Sequence, residues 1–181
     1  MTGRPAIVGG EAGPEPPYPL QMEGKVISGF GRGSKELGIP TANLPVDAAV
    51  TPWIGDITSG VYFGYAALSL PASHPEHAPA APATSSFSVF PMVMSIGYNP
   101  FYKNTVRSAE VHVLHKFAHD FYDADMRLLI AGFIREEKDY ESLEALIDDI
   151  NVDCDVARSS LARERWAYGA LQGGEWLTKP L

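Results

Sequence analysis

A chain of 181 residues, 45% hydrophobic and 20% charged, has the composition of one globular domain with enough apolar material for a real core. Its formal net charge of −8 argues against general nucleic-acid or anionic-membrane binding, which calls for a basic surface. The single cysteine, Cys154, excludes an internal disulfide and any cysteine-cluster metal site, and no window approaches a transmembrane span. A cytoplasmic location is the expectation, with an organelle-processed mitochondrial form as its alternative.

Residues 1–17 are rich in Gly, Pro and small side chains and read as an irregular extension. Residues 18–162 read as the domain proper and 163–181 as a tail, which either packs back or stays loose. Residues 20–28 are strand-like and run into a glycine-dense segment, Gly29-Phe30-Gly31-Arg32-Gly33-Ser34-Lys35, followed by Pro40-Thr41-Ala42-Asn43. Residues 61–70 mix aromatic and β-branched side chains and read as a buried strand. Residues 71–86 hold four prolines and two histidines and read as a long loop. Residues 87–96 are a second apolar run, in which Pro91 suggests a sheet edge or a bulge.

Residues 110–115 alternate: Val111, Val113 and His115 face one way, Glu110, His112 and Leu114 the other. Residues 128–134 form a further strand. Helical spacing comes only afterwards, with Leu143, Leu146, Ile147, Ile150, Cys154, Ala157 and Leu161 on one stripe. Acidic residues near its start suit the helix dipole. Strands joined by loops, then one terminal helix, imply a β-rich antiparallel barrel, with the helix expected to cover its open side.

Dense glycines let a backbone come close to a ligand, and successive N–H groups beside Arg32 and Lys35 make an anion cradle. A flexible hairpin tip would carry the same glycines. The segment is neither a Walker loop nor a dinucleotide fingerprint, because Lys35 lacks the Gly-Lys-Ser/Thr context and Pro40 opposes a helix. Thr41 and Asn43 offer the neutral hard oxygens that Mg²⁺ accepts when it also holds phosphates, although both residues also cap turns. Asp123-Ala124-Asp125 reads as turn chemistry.

The whole run from Gly29 to Asn43 resembles the signature of the riboflavin kinase family. So do Gly60-Val61-Tyr62-Phe63-Gly64-Tyr65-Ala66, Ser95-Ile96-Gly97-Tyr98-Asn99-Pro100-Phe101-Tyr102-Lys103-Asn104-Thr105, Glu110-Val111-His112-Val113-Leu114-His115, Asp120-Phe121-Tyr122 and Arg135-Glu136-Glu137-Lys138, in the family's order. The chain is similar to the eukaryotic, monofunctional type. The resemblance implies a six-stranded antiparallel Greek-key β-barrel, of the split-barrel kind, with a C-terminal α-helix. It implies transfer of the ATP γ-phosphate to the ribityl 5′-hydroxyl of riboflavin, giving FMN and ADP.

By the same resemblance Glu110 is the general base, and Thr41 and Asn43 hold Mg²⁺, with Mn²⁺ or Zn²⁺ as substitutes. Gly29, Gly31, Gly33, Lys35, Thr41, Val113, His115 and Tyr122 would meet the nucleotide, and Arg135, Lys138 and Leu143 the flavin. The expected partners are riboflavin, FMN, ATP and ADP, with neither nucleic acid nor membrane, and the chain is expected to be a monomer. Two other readings compete: a flavin-binding module on the same barrel without catalysis, and a bifunctional enzyme that also makes FAD. The second needs a nucleotidyltransferase domain for which 181 residues leave no room.

Overall fold

The computed structural model describes residues 5–26, 41–44, 51–69, 87–98, 107–114, 125–138 and 140–178. Among the described residues there are six strands: β1 (Leu20–Lys25), β2 (Thr41–Leu44), β3 (Gly60–Ser69), β4 (Ser88–Tyr98), β5 (Arg107–Val113) and β6 (Asp125–Glu136). One helix follows, α1 (Leu143–Leu161), and then three short 3₁₀ turns between Glu164 and Thr178. All strand pairs are antiparallel, in the order β1-β6-β3-β4-β5-β2. Strands β3, β4 and β5 form a meander, and β6 returns to lie beside β3, which is the Greek-key connection. The edge strands β1 and β2 approach each other, so the sheet curls into a nearly closed barrel.

Alternation along the strands sorts the apolar residues into two cores. Every strand contributes to the first: Met22, Leu44, Tyr62, Ala66, Met92, Met94, Ile96, Val111, Val113, Leu128 and Ile130 are buried together. A set drawn from all six strands is the barrel interior. The second core holds Val61, Phe63, Tyr65 and Ala67 of β3, Val93 of β4, and Leu129 and Ala131 of β6. Cys154, Ala157 and Leu161 of α1 pack against these, with Trp166, Leu171 and Leu177 of the tail. The helix therefore lies on the outside of the β4-β3-β6 wall, not over the barrel's opening. The physical reason is that the interior is already filled by strand side chains, while the outer faces of β3, β4 and β6 are themselves apolar.

Pro91 also differs from expectation, since β4 lies between β3 and β5 and is not an edge. Pro91 pairs with Tyr65 of β3, and its carbonyl accepts from the Leu114 N–H at 2.9 Å. In an antiparallel strand a residue's N and O face the same neighbour, so its missing donor falls where β5 has ended. The proline is therefore accommodated at the end of the β4–β5 ladder. Two register shifts in the β3–β6 pairing, between Val61 and Tyr62 and between Phe63 and Gly64, are β-bulges. They leave Phe133 against Tyr62 with ring centroids 5.1 Å apart, while Arg135 comes to stand opposite Val61.

The helix starts where the sequence supplies a cap. Ser142 is extended and its side chain accepts from the Ala145 N–H at 3.1 Å, with Glu144 in the first turn. The tail docks: Tyr65 Oη donates to the Trp166 carbonyl at 2.9 Å, and Arg127 Nη1 to the Trp176 carbonyl at 2.7 Å. The amino-terminal extension is tied to the same region. The Val8 N–H donates to Ser160 Oγ, Arg163 donates to the carbonyls of Val8 and Gly9, and Trp166 Nε1 donates to the Gly10 carbonyl. Gly9 has φ of 84°, and a Cβ there would strike the Trp166 ring, so this crossing demands glycine.

Candidate active site

The pairing of β2 with β5 sets Asn43 directly opposite Glu110 and Thr41 opposite His112. Register carries the row onward: Glu110 is opposite Ser95 of β4, Ser95 opposite Val61 of β3, and Val61 opposite Arg135 of β6. Asn43, Glu110, Ser95, Val61 and Arg135 thus line up across five strands. Directly opposed residues share a face. Val61 belongs to the outer core, so the row runs along the outside of the barrel, beside α1.

Glu110 is about one third exposed at its side chain, and burial pushes its carboxyl above the ordinary carboxylate range. His112 Nε2 stands 3.7 Å from Glu110 Oε1. The imidazole is 6% exposed, and burial holds its pKa down at about 4, although the Asp153 charge pulls the other way. His112 is therefore neutral near pH 7. Its Nδ1 is buried without a hydrogen-bond partner among the described residues.

Asp153 comes from the middle of α1 and is almost wholly buried. Arg135 grips it: Nε donates to Oδ1 at 3.0 Å and Oδ2 at 3.2 Å, and Nη2 donates to Oδ2 at 2.9 Å. Burial lowers the tendency of Arg135 to stay charged, but the Asp153 bonds outweigh it and raise its pKa. Nearer the helix start, Lys138 Nζ lies 2.7 Å from Asp149 Oδ2, which also accepts from Tyr140 Oη at 2.8 Å. Arg135 and Lys138 both face the Tyr140 ring, at 5.8 and 5.2 Å from its centroid. Leu146 and Ile147 on the adjoining helix turns are only half-buried, whereas Cys154, Ala157 and Leu161 are buried.

Of the residues singled out in the sequence, the structure sets Asn43 opposite Glu110, with the backbone of Thr41 alongside, and puts Arg135 further along the same cross-strand row, three strands from Glu110. Lys138 stands just beyond Arg135 and Leu143 opens α1. Val113 points into the barrel interior, fully buried. Gly29, Gly31, Gly33, Lys35, His115 and Tyr122 lie outside the described residues. Asp125 of the Asp-Ala-Asp run opens β6 and lies 3.3 Å from Lys25, on an edge pairing remote from the row.

Sequence reasoning did not single out Asp153 or Tyr140, and it left His112 without a role. An acid on the apolar side of a helix stripe is a signal for Asp153, because a charge there needs a buried partner. Glu137 is a further case: a Cβ on Gly97 would collide with its carboxylate, so the glycine of the Ser95-Ile96-Gly97 run makes room for an acid from β6's end.

Comparison with known proteins gives the family. The family model described as "Flavokinase: Riboflavin kinase" matches residues 16–161. A riboflavin kinase of Pyricularia oryzae is 65% identical, over 99% of this chain and 96% of its own length. One of Chaetomium globosum is 64% identical, over 91% and 81% respectively. The crystal structure of riboflavin kinase from Trypanosoma brucei superposes with a TM-score of 0.65 at 27% identity, covering 88% of this chain and 90% of that one. With most of its length matched by the family model and by close relatives, this chain belongs to the riboflavin kinase family.

Proposed function

We propose that the chain is an ATP:riboflavin 5′-phosphotransferase in which Glu110 serves as the base and Thr41 and Asn43 hold the nucleotide's metal. The observation that carries this reading is the register that sets Asn43 opposite Glu110, in a chain of the riboflavin kinase family. The 5′-hydroxyl oxygen of riboflavin forms a bond to the γ-phosphorus as the bond to the β–γ bridging oxygen breaks. ADP leaves, and the hydroxyl proton passes to the Glu110 carboxylate. Such a transfer has a loose transition state, so alignment and charge neutralisation do most of the work.

Glu110 suits its part for two reasons. It sits on a strand whose alternate residues, Ala109, Val111 and Val113, are locked into the barrel core, so its Cα cannot wander. Partial burial raises its pKa, which makes its carboxylate a better proton acceptor than an exposed one. Loss of Glu110 is accordingly expected to lower kcat far more than substrate affinity.

Asn43 brings a neutral oxygen beside that carboxylate, and Thr41 occupies the next same-face position of β2. Among the described residues no group of three or more His, Cys, Asp or Glu could hold a metal. A cation here would rest on neutral oxygens, Glu110's neighbourhood and the phosphates of ATP, which is the environment Mg²⁺ prefers. When bound, the ion supplies positive charge to the phosphate oxygens; Mn²⁺ or Zn²⁺ are substitutes for it in this reading. Riboflavin is assigned to the side of α1's first turns, where Leu146 and Ile147 remain half-open beside Tyr140, Arg135 and Lys138. Among the described residues no helix is long and apolar enough to cross a membrane.

The test is direct. Purified protein given riboflavin and Mg·ATP should yield FMN and ADP in equal amounts. Flavin binding without product would favour the non-catalytic flavin module instead. Thr41→Ala should raise the KM for Mg·ATP, and Glu110→Gln should depress kcat about a hundredfold or more.

A further inference from the structure

We propose that His112 is a positioning residue for Glu110, holding one carboxylate oxygen through its Nε2–H so that the other oxygen stays turned to the substrate hydroxyl. The inference rests on the assignment of Glu110 as the base and adds the group that orients it. Four observations point the same way. His112 is two residues from Glu110 on one strand, hence on the same face, and its Nε2 faces Oε1 at 3.7 Å. That separation is longer than a hydrogen bond, but contacts of this kind tighten when substrate closes a site.

The imidazole is buried almost completely, so it cannot swing away to water. Its other nitrogen, Nδ1, is buried with no partner among the described residues. A proton on Nδ1 would be an orphan donor, whereas a proton on Nε2 faces a carboxylate. The site therefore selects the Nε2–H tautomer. Asp153, the other acid near the ring, does not compete for it, because Arg135 already takes three hydrogen bonds to that carboxylate. The same bridge fastens α1 to β6 behind the ring and keeps the ring in its slot.

The experiment exploits which ring nitrogen matters. The amide nitrogen of glutamine reaches the Nε2 position, and that of asparagine reaches only the Nδ1 position. His112→Leu is expected to lower kcat tenfold or more, with KM for riboflavin and for Mg·ATP within twofold. His112→Gln should recover kcat to within about threefold of the original enzyme, and His112→Asn should not. Thermal unfolding checks that each variant is folded; should His112→Leu fail to fold, His112→Met removes the donor at similar volume.

A double-variant cycle separates the two layers of the argument. With Glu110→Gln in place, His112→Leu should cause no further loss of kcat. If Glu110→Gln alone keeps full turnover, the base assignment fails. If Glu110→Gln is crippled but His112→Leu multiplies the loss, or if Asn rescues as well as Gln, the positioning role fails while the base assignment stands.

Discussion

Two ends of the same barrel wall are built from opposite materials. Where β3 begins, the outer face carries Ser95, Glu110, His112 and Arg135, and α1 answers with Asp153 and Asp149. Where β3 ends, the same face is sealed. Trp166 stacks on Phe63 with centroids 5.8 Å apart, Leu171 and Leu177 are buried, and Arg127 lies 4.2 Å over Phe87 with Trp176 on its other flank. The second end obeys the rule for a core and the first breaks it. A strand face that sets a half-covered carboxylate, a buried imidazole and a guanidinium beside a helix gives up stability that leucines would have supplied. Such a cost is sustained where the groups do something, and the sealed end supplies the rigidity that lets them.

The sharpest way to break that contrast is at the sealed end. Trp166 is 2% exposed, stacks on Phe63 and donates to the Gly10 carbonyl. Trp166→Ala should cost about 3–5 kcal/mol, read by urea unfolding. The same protein below its transition should keep its kcat and both KM values. A large fall in kcat at full folding would show that the two ends are not separable. The next largest effect lies at the polar end. Asp153→Asn halves the bridge to Arg135 and leaves a buried guanidinium short of charge, so about 3 kcal/mol should be lost. Here turnover should fall with stability, because the wall behind His112 loosens.

Acid titration gives a finer probe. The folded protein holds His112 neutral down to about pH 4, while the unfolded chain protonates it near pH 6.5. The unfolded state thus binds the extra proton between those values, and stability must fall as pH drops through that window. The slope within the window is at most roughly 1.4 kcal/mol per pH unit, and the contribution is complete above pH 6.5 and spent below about pH 4. His112→Gln should flatten the curve over this range. Glu110 and Asp153 face the same ring, so the comparison is read as the difference between the two proteins between pH 5 and 6.5, which isolates the histidine. Parallel curves would mean that the ring is not buried neutral.

Much of this arrangement is legible in the residues. Alternation at Val111 and Val113 against Glu110 and His112 fixes which side of β5 meets the core, and the stripe ending in Cys154, Ala157 and Leu161 marks the helix face that is in fact buried. What no local period carries is partnership across distance. That β6 returns beside β3 decides that Arg135 meets α1, and therefore that Asp153 is a buried counter-ion and not a misplaced surface acid. Pro91 read as an edge or a bulge because its own missing donor is local knowledge, while the place where β5 stops is not. The tail's docking depends likewise on an apolar outer wall assembled from three separate strands.

The smallest effect tests the join between the two ends. The helix spans both, and its first turn, near the proposed flavin side, is held by the Ser142 cap, where the side chain accepts from the Ala145 N–H. Ser142→Ala removes one satisfied donor from an exposed helix start and should cost about 1 kcal/mol. Its global signature would be slight against the anchoring of Cys154, Ala157 and Leu161 at the other end of α1. Its local signature should be larger. Amide exchange is expected to quicken at residues 143–149 and stay unchanged at 154–161, because a helix pinned at one end frays from the other. Riboflavin KM should rise two- to threefold with kcat held, since Lys138, Tyr140 and Asp149 sit at that turn while Glu110 sits on the barrel. Uniform acceleration along the helix would show that α1 opens as one unit and that the sealed end does not anchor it.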